Sequence, residues 1–313
     1  MIPLRQAADQ TRTVRTPDGA ELRVHLRGPV DAPVTVVLAH DWALASDTWR
    51  PTVARLVAGP RRPVRVVRFD QRGHGGSTLG TRPFSAAVLG EDLLRVLEDC
   101  APHGPLVLGG HSMGGRAVMA LAAARPGFVA GRVAGVLLAA TAAGRLDPDD
   151  PGLPPHRRAA GVLRRALARG LARAPGAVDR LRALLPPHSG AYRAAVRRAA
   201  FGTRADPLAV RECAQLLHST PTRVAVGFYE PLVRHDLSGR LGALRAVPVR
   251  ILAGGRDRLV RLRHTRALAR ALPLAAVAVL PDCGHMLPLE APEAVGAHLE
   301  ALAALAGEAA EAA

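Results

Sequence analysis

A serine flanked by glycines is the residue in this sequence with the clearest capacity for chemistry. Ser112 lies in the segment Gly110-His111-Ser112-Met113-Gly114-Gly115, directly after an apolar run and before a helical pattern. A sharp strand-to-helix turn of this G-x-S-x-G type holds a serine oxygen at the edge of a sheet and at the positive end of a helix. The pattern therefore predicts a nucleophilic serine and disfavours the alternative of a turn without chemistry.

A serine hydroxyl attacks a carbonyl only when a base removes its proton and a third group orients that base. On a sheet that carries this turn, the three residues follow in the order Ser, Asp, His. Asp257 comes just after the apolar run 249–253, and His285 comes just after the last apolar run. We therefore predict that Ser112, Asp257 and His285 form a catalytic triad. Two alternatives stay open: Asp257 could be a helix N-cap, and Asp147 is the second candidate for the acid.

Acyl transfer also requires N–H donors for the oxygen that becomes negatively charged in the transition state. We predict that one donor is the backbone N–H of Met113, the residue after the nucleophile. The second predicted donor is the backbone N–H of Trp42, in the loop after the apolar run 34–39. The indole of Trp42 could at the same time form part of a pocket wall.

Short apolar runs separated by helical patterns must position these residues. After a predicted hairpin of strands at 11–15 and 21–27, such runs occur at 34–39, 64–69, 105–108, 133–139, 249–253 and 276–280. Continuous apolar runs that alternate with helices indicate a mostly parallel sheet covered by helices on both faces. We therefore predict an α/β fold with an eight-stranded sheet, whose carboxyl edge carries the ligand site.

A long segment without strand patterns separates the sixth predicted strand from the seventh. We predict that residues 142–247 form a helical cap, inserted into a core made of residues 1–141 and 248–313. Within the cap, leucines and arginines each recur at every fourth position, at Leu163, Leu167 and Leu171 and at Arg165, Arg169 and Arg173. This periodicity predicts an amphipathic helix whose leucines face the pocket or the core and whose arginines face water.

The positive charge of the chain is concentrated in this cap. Lys+Arg 42 against Asp+Glu 26 gives a net charge of +16, and every basic residue is an arginine. Binding of nucleic acid would require aromatic side chains to stack the bases, and between residues 157 and 204 only Tyr192 and Phe201 are present. We predict no nucleic-acid partner. Contact of the arginine-rich cap with an anionic surface is an alternative that we rank below a solvated cap face.

The cysteines and the first residues of the chain bear on metal binding, disulfide bonds and localisation. Cys100, Cys213 and Cys283 have neither metal-ligand nor disulfide spacing. The first residues lack the apolar stretch of a signal peptide, and no apolar run is long enough to span a bilayer. We predict a cytoplasmic protein that uses no metal and no cofactor, and the sequence does not indicate its oligomeric state.

Five motifs in the expected order resemble those of the α/β-hydrolase family over essentially the whole chain. They are His40-Asp41-Trp42, the segment 69–77, the serine turn 110–115, Gly254-Gly255-Arg256-Asp257 and Gly284-His285. The resemblance implies the fold of that family, with residues 142–247 as the cap over the pocket. Asp41 departs from the pattern, because the family usually has glycine there, and a carboxylate beside the oxyanion would oppose its charge.

The resemblance also implies a reaction class. Serine at position 112 indicates a serine hydrolase that cleaves a carboxylic ester of a small apolar substrate through an acyl-enzyme intermediate. The serine turn is similar to that of monoacylglycerol lipases, and His-x-Trp is similar to cofactor-free perhydrolases, also called haloperoxidases. Perhydrolysis, thioester cleavage and carbon–carbon bond hydrolysis use the same triad and remain alternatives. An anionic-surface-binding protein is the alternative of another class.

Overall fold

A computed structural model describes residues 9–59, 63–146, 155–184 and 186–311, except for the side chains of residues 155–158 and 160. The strands are β1 Gln10–Arg15, β2 Glu21–Arg27, β3 Val34–Ala39, β4 Val64–Phe69, β5 Leu106–His111, β6 Val133–Ala139, β7 Val249–Gly254 and β8 Ala276–Leu280. They form an eight-stranded sheet in the order β1-β2-β4-β3-β5-β6-β7-β8. The pairs β1/β2 and β2/β4 are antiparallel, and all other pairs are parallel. The predicted α/β fold with a mostly parallel sheet is confirmed.

Helices cover both faces of this sheet. The core helices are α1 Arg50–Ala58, α2 Ala86–Cys100, α3 Met113–Ala124, α4 Pro126–Arg132, α10 Leu262–Ala271, α11 Leu287–Glu290 and α12 Pro292–Glu311. On one face α2, α3 and α10 pack against the sheet through a large apolar cluster. On the other face α1 and α12 do so through a second cluster. Every residue of β3 and of β5 is buried, as continuous apolar runs between two helical layers require.

The predicted serine turn is tighter in the structure than in the sequence pattern. Strand β5 continues to His111 and helix α3 begins at Met113, so Ser112 alone forms the turn. Glycine is necessary beside it because a Cβ at Gly114 would lie 2.1 Å from the carbonyl oxygen of Ala39. The predicted strand 105–108 ends three residues earlier than β5, since Gly109 and Gly110 interrupt the apolar run.

The described part of the inserted segment contains five α-helices. Between β6 and β7 lie α5 Pro155–Arg173, α6 Pro175–Ala183, α7 Gly190–Ala200, α8 Pro207–Ser219 and α9 Thr222–Arg234. An apolar cluster joins α7 and α8 to core residues at the carboxyl edge of the sheet, among them Leu44, Met286 and Leu289. The cap therefore lies over the edge that carries the predicted site residues. None of the helices in the described part of the chain is long and apolar enough to cross a membrane.

The predicted orientation of α5 is wrong for two of its three leucines, whereas Arg169 and Arg173 are exposed as predicted. Leu163 is 69% exposed and Leu167 is 59% exposed, so these leucines do not face the pocket or the core. The face that is buried includes Gly161, and Ala168 on the same face is half-buried. Helix α5 contacts α9, and Arg169 pairs with Glu230 of α9. Periodicity alone identified the helix but not the face that the neighbouring helix covers.

Buried ion pairs connect the loop after β4 to helix α2 and to the turn between β1 and β2. Arg72 is 2% exposed, and its guanidinium contacts the carboxylates of Asp92 and Asp18. The guanidinium of Arg72 is the main cause that lowers the pKa of Asp18 below its usual range, against the opposing effect of burial. A buried charge left without its partner is strongly destabilising, whereas an exposed pair contributes little.

We therefore expect Arg72→Gln to lower the free energy of unfolding by about 3–5 kcal/mol, because two buried carboxylates lose their counter-ion. The matched control is Arg15→Gln, which removes an exposed pair with Glu21 and should change it by less than about 1 kcal/mol. Urea denaturation followed by circular dichroism measures both. Equal effects of the two substitutions would contradict this role of Arg72.

Candidate active site

The three residues of the predicted triad lie within hydrogen-bond distance of one another. His285 Nε2 is 3.1 Å from Ser112 Oγ, and His285 Nδ1 is 2.7 Å from Asp257 Oδ2. The ring of His285 and the carboxylate of Asp257 are both buried. The residues come from the ends of β5, β7 and β8, which share the carboxyl edge of the sheet. This geometry allows a proton to pass from the serine to an imidazole that an acid orients.

The backbone at Ser112 is strained in the way that a nucleophilic turn requires. Its φ is 50° and its ψ is −107°, a left-handed region that a residue with a side chain rarely adopts. Two contacts hold it there: the Ser112 N–H donates to the carbonyl of Ala139, and the Thr141 hydroxyl donates to the Ser112 carbonyl. Helix α3 begins at the next residue and directs its positive end toward the serine.

Asp257 lies beside His285 as predicted, and it is not a helix N-cap, because α10 begins at Leu262 and its N-cap is Arg261. Asp257 Oδ1 accepts the N–H groups of Leu259 and Val260 at 2.8 Å each, so it caps the following loop. Its Oδ2 is thereby fixed toward His285. Asp282, which is close to His285 in sequence, instead accepts a hydrogen bond from the Thr203 hydroxyl. Asp147, the second candidate for the acid, lies outside the described residues.

Sequence reasoning missed a carboxylate that holds the histidine loop. Glu290 accepts hydrogen bonds from the N–H groups of Gly284 and Met286, on either side of His285. It also accepts the N–H of Gly202 in the cap. Burial raises the pKa of Glu290, although these donors oppose the shift. An acid at the end of α11, five residues after the base, was the signal available in the sequence, and only the fold shows that it turns back toward the loop.

The two predicted oxyanion donors point to one place, and a side chain of the protein occupies it. The Trp42 N–H donates to Asp41 Oδ1 at 2.6 Å, and the Met113 N–H donates to the same oxygen at 3.4 Å. The other oxygen, Asp41 Oδ2, is 3.1 Å from His285 Nε2. Asp41 is 4% exposed. The departure from the family pattern at position 41 therefore places a carboxylate between the two predicted oxyanion donors.

Two carboxylates control the charge of the histidine. Burial disfavours the charged ring, but the nearby charges of Asp257 and Asp41 outweigh it and raise the pKa of His285 to about 10. Burial likewise disfavours an ionised Asp41, but His285 outweighs it and keeps the pKa of Asp41 below its usual range. In this geometry the carboxylates on both sides of the ring therefore favour its protonated form.

A second histidine supports the first without taking part in the relay. His111 Nε2 is 2.8 Å from the backbone carbonyl of His285, and burial lowers the pKa of His111 to about 4. Within the described residues, Asp41, His111 and His285 offer ligand atoms that lie within 4.8 Å of one another, close enough for a metal ion. A cation there would compete with Ser112 for His285 Nε2, so we assign no metal ligand to this group.

A cavity of about 430 Å³ opens over Ser112 and His285. Its walls come from the cap and from the loop after β7, and they are mixed in character. Apolar contacts are offered by Leu146, Tyr229, Leu232, Val233 and Val260. The indole of Trp42 lies in the wall as well, and its Nε1–H donates to the carbonyl of Ala225 in α9. Apolar side chains thus share the lining of the cavity with Ser112 and His285.

A serine, a histidine and an acid at the carboxyl edge of a mostly parallel sheet define a class of hydrolases. Residues 36–298 match the model of the Alpha/beta hydrolase family, and the chain belongs to that family. This confirms the resemblance seen in the sequence.

Individual relatives agree with the family. The chain is 29% identical over 297 residues to a protein described as putative carbamate hydrolase RutD of Caulobacter sp. strain K31, covering 94% of this chain and 98% of that one. It is 35% identical over 102 residues to the bifunctional esterase/perhydrolase DCH of Acinetobacter calcoaceticus, but that match covers only 33% of this chain and 35% of the relative. The enol-lactonase of Burkholderia xenovorans LB400 superposes with a TM-score of 0.69 at 25% identity, covering 94% and 100% of the two chains.

We expect Asp257→Asn to lower kcat for an ester by about 10⁴-fold, because an amide holds the wrong tautomer of the imidazole. Asp282→Asn removes a carboxylate from the same loop as His285 and should leave kcat nearly unchanged. Steady-state hydrolysis of a p-nitrophenyl ester measures both. Near-normal activity of Asp257→Asn would move the acid to another residue, with Asp147→Asn as the next variant to measure.

We expect Glu290→Gln to reduce kcat about tenfold with little change in KM, since the amide donates where the loop needs an acceptor. Loss of hydrogen bonds to a charged acceptor should also lower the free energy of unfolding by about 1.5–3 kcal/mol. Glu293→Gln, which alters an exposed partner of Arg55, is the matched control and should change neither quantity. If stability falls while kcat is unchanged, Glu290 does not position His285.

Proposed function

We propose that this protein is a serine hydrolase that cleaves a carboxylic ester of a small, largely apolar substrate through an acyl-enzyme intermediate. The observation that carries the proposal is the continuous contact from Ser112 Oγ through His285 to Asp257, on the floor of a cavity. Ser112 acts as nucleophile, His285 as general base and acid, and Asp257 as the group that orients and stabilises the imidazolium. Backbone N–H groups of Trp42 and Met113 serve the oxyanion.

Acylation begins when the ester carbonyl carbon lies over Ser112. The Ser112 proton passes to His285 Nε2 while Oγ attacks the carbon, and the carbonyl oxygen becomes negatively charged. The two N–H groups stabilise that charge. When the tetrahedral intermediate collapses, His285 gives its proton to the departing alcohol oxygen, and the acyl group remains on Ser112.

Deacylation repeats these steps with water in place of the serine. His285 takes a proton from the water, the hydroxide attacks the acyl carbon, and Ser112 leaves with the proton that His285 returns. Both halves require a neutral imidazole at their start. Because the neighbouring carboxylates raise the pKa of His285 to about 10, the neutral form grows as the pH rises, and we expect turnover to increase from neutral to alkaline pH.

The cavity supports a substrate with an apolar part. Leucine, valine and tyrosine side chains form much of its wall, and burial of apolar surface there contributes roughly 25 cal/mol per Å² to binding. Arginines also reach the cavity, among them Arg116, Arg258 and Arg261. An ester of modest size is consistent with the available volume.

Perhydrolysis is the second candidate function. It is favoured by the local similarity to an esterase/perhydrolase, which extends over 102 residues. Hydrogen peroxide would then replace water in deacylation and yield a peracid from the same acyl-enzyme. Formation of peracetic acid from acetate esters and peroxide measures this activity beside hydrolysis.

We expect Ser112→Ala to abolish ester turnover, with a loss on the order of 10⁶-fold, because alanine fits the turn but offers no nucleophile. A panel of p-nitrophenyl esters of increasing acyl length, with a thioester beside it, defines the substrate range of the unaltered protein. Mass spectrometry after reaction with a fluorophosphonate should place a single adduct on Ser112.

The control is the melting temperature of Ser112→Ala, which should stay within a few degrees of that of the unaltered protein. A folded Ser112→Ala protein that kept a tenth of the activity would contradict a serine mechanism. An adduct on any other residue would do so as well.

A further inference from the structure

Asp41 fills the place that the oxygen of a reacting ester must take. Its Oδ1 accepts the N–H of Trp42 at 2.6 Å and that of Met113 at 3.4 Å. These are the two donors to which we assign the oxyanion. A developing negative charge is stabilised only by donors that are free to point at it, and a carboxylate already bonded to them excludes a second anion by its size and its charge.

The other oxygen of Asp41 engages the base. Asp41 Oδ2 and Ser112 Oγ each lie 3.1 Å from His285 Nε2, so they compete for the same nitrogen. When Nε2 carries a proton and donates it to Asp41, it has no lone pair with which to accept the serine proton. One carboxylate thus closes the oxyanion hole and holds the base in its inactive form at the same time.

We propose that Asp41 gates the active site, so that an ester reacts only after the Asp41 carboxylate has left the oxyanion hole and the carbonyl oxygen has taken its place. The proposal rests on the proposed function as a serine hydrolase. In the closed state neither the donors nor the base is available, and in the open state both are. Asp41 therefore determines which fraction of the protein molecules can react with an ester. The apparent affinity for every substrate is reduced in proportion to that fraction.

The positive charge of the cavity wall favours the displaced carboxylate of Asp41. Among the described residues that line it, Asp41 is the one acidic residue, whereas guanidinium groups come from Arg116, Arg258 and Arg261 and from other arginines. Arg116 is 2% exposed and donates to the backbone carbonyls of His235 and Gly144. A carboxylate that turns out of the hole consequently enters a positively charged cavity, which offsets part of the interaction with His285 that it gives up.

Besides the arginines of the cavity wall, three histidines and a cysteine lie near Asp41. His285 follows β8, His111 ends β5, His40 precedes Asp41 after β3, and Cys213 lies in α8 of the cap. Burial lowers the pKa of His40 and of His111, so both are neutral, and burial raises the pKa of Cys213 to about 12, so the thiol is neutral too. His285 is therefore the one of these four that carries a charge to match Asp41.

Two substitutions separate the effect of the size of the Asp41 side chain from the effect of its charge. Asp41→Gly empties the hole and removes the charge, whereas Asp41→Asn keeps the size and removes the charge. At pH 7 we expect Asp41→Gly to react with a fluorophosphonate at Ser112 about 100-fold faster than the unaltered protein, because two donors become available and loss of one such donor costs about 100-fold or more. Asp41→Asn should be faster than the unaltered protein and slower than Asp41→Gly. Asp282→Asn, which removes an acid from the loop before His285, should react at the unaltered rate.

The state of the base gives a readout that needs no turnover. In a Ser112→Ala background, NMR of the His285 ring should show its pKa falling by at least two units in Asp41→Gly and in Asp41→Asn, because the imidazolium loses one of its two anions. The Asp282→Asn control should not move it. The pH at which fluorophosphonate labelling reaches half its maximum should shift toward neutrality by a similar amount in proteins that retain Ser112.

The outcomes distinguish the gate from the function on which it rests. Labelling at Ser112 with a rate within threefold of the unaltered protein in both Asp41 variants, or an unmoved His285 titration, overturns the gate alone. A folded Asp41→Asn protein that no longer labels overturns it too, since Asp41 would then assist the reaction. Absence of labelling at Ser112 in every protein, with the His285 titration shifted as expected, overturns the proposed serine mechanism instead. The melting temperature establishes folding, and Asp41→Asn decides the question if Asp41→Gly does not fold.

Discussion

One buried imidazole held between two carboxylates is the interaction on which this site depends. Asp257 fixes Nδ1 of His285 at 2.7 Å, and Asp41 lies 3.1 Å from Nε2. A relay with a single acid leaves Nε2 free for the serine, whereas a second acid stabilises the protonated ring and removes that freedom. The same contact that makes the resting arrangement stable therefore opposes the chemistry that the triad would perform.

The sheet brings these groups together because parallel strands end at one edge. Ser112, Asp257 and His285 follow β5, β7 and β8, and Asp41 follows β3, the neighbour of β5. Where these loops meet, there is no room for a Cβ atom between the two backbones. At Gly254, for example, a Cβ would lie 1.9 Å from the carbonyl oxygen of Gly284, so the loops of the acid and of the base touch directly.

The cap is part of the site through packing as well as through the cavity. Helices α7 and α8 share an apolar cluster with Leu44 and Met286, residues that follow Asp41 and His285 closely in the chain. Glu290 adds a polar connection, because it bonds the histidine loop and the N–H of Gly202 at once. A movement of the cap would consequently reach both the base and the loop that carries Asp41.

The sequence by itself determined the fold class, the succession along the chain of the strands that carry the site, and the residues predicted for the triad. It did so because apolar runs, helical periodicity and glycine turns are local signals, and because a serine turn predicts a histidine and an acid later in the chain. Local signals gave the existence of α5 but placed Leu163 and Leu167 on the wrong side, since the buried face depends on which elements pack against the helix.

Only the tertiary structure decided where the side chain of Asp41 points. From the sequence, Asp41 was a substitution for glycine beside the oxyanion turn, with a charge of the wrong sign. The structure shows that its two oxygens bond the N–H of Trp42, the N–H of Met113 and the ring of His285. Asp41 and His285 are 244 residues apart along the chain, so this arrangement depends on the packing of β3, β5 and β8 and their loops, which no local pattern encodes.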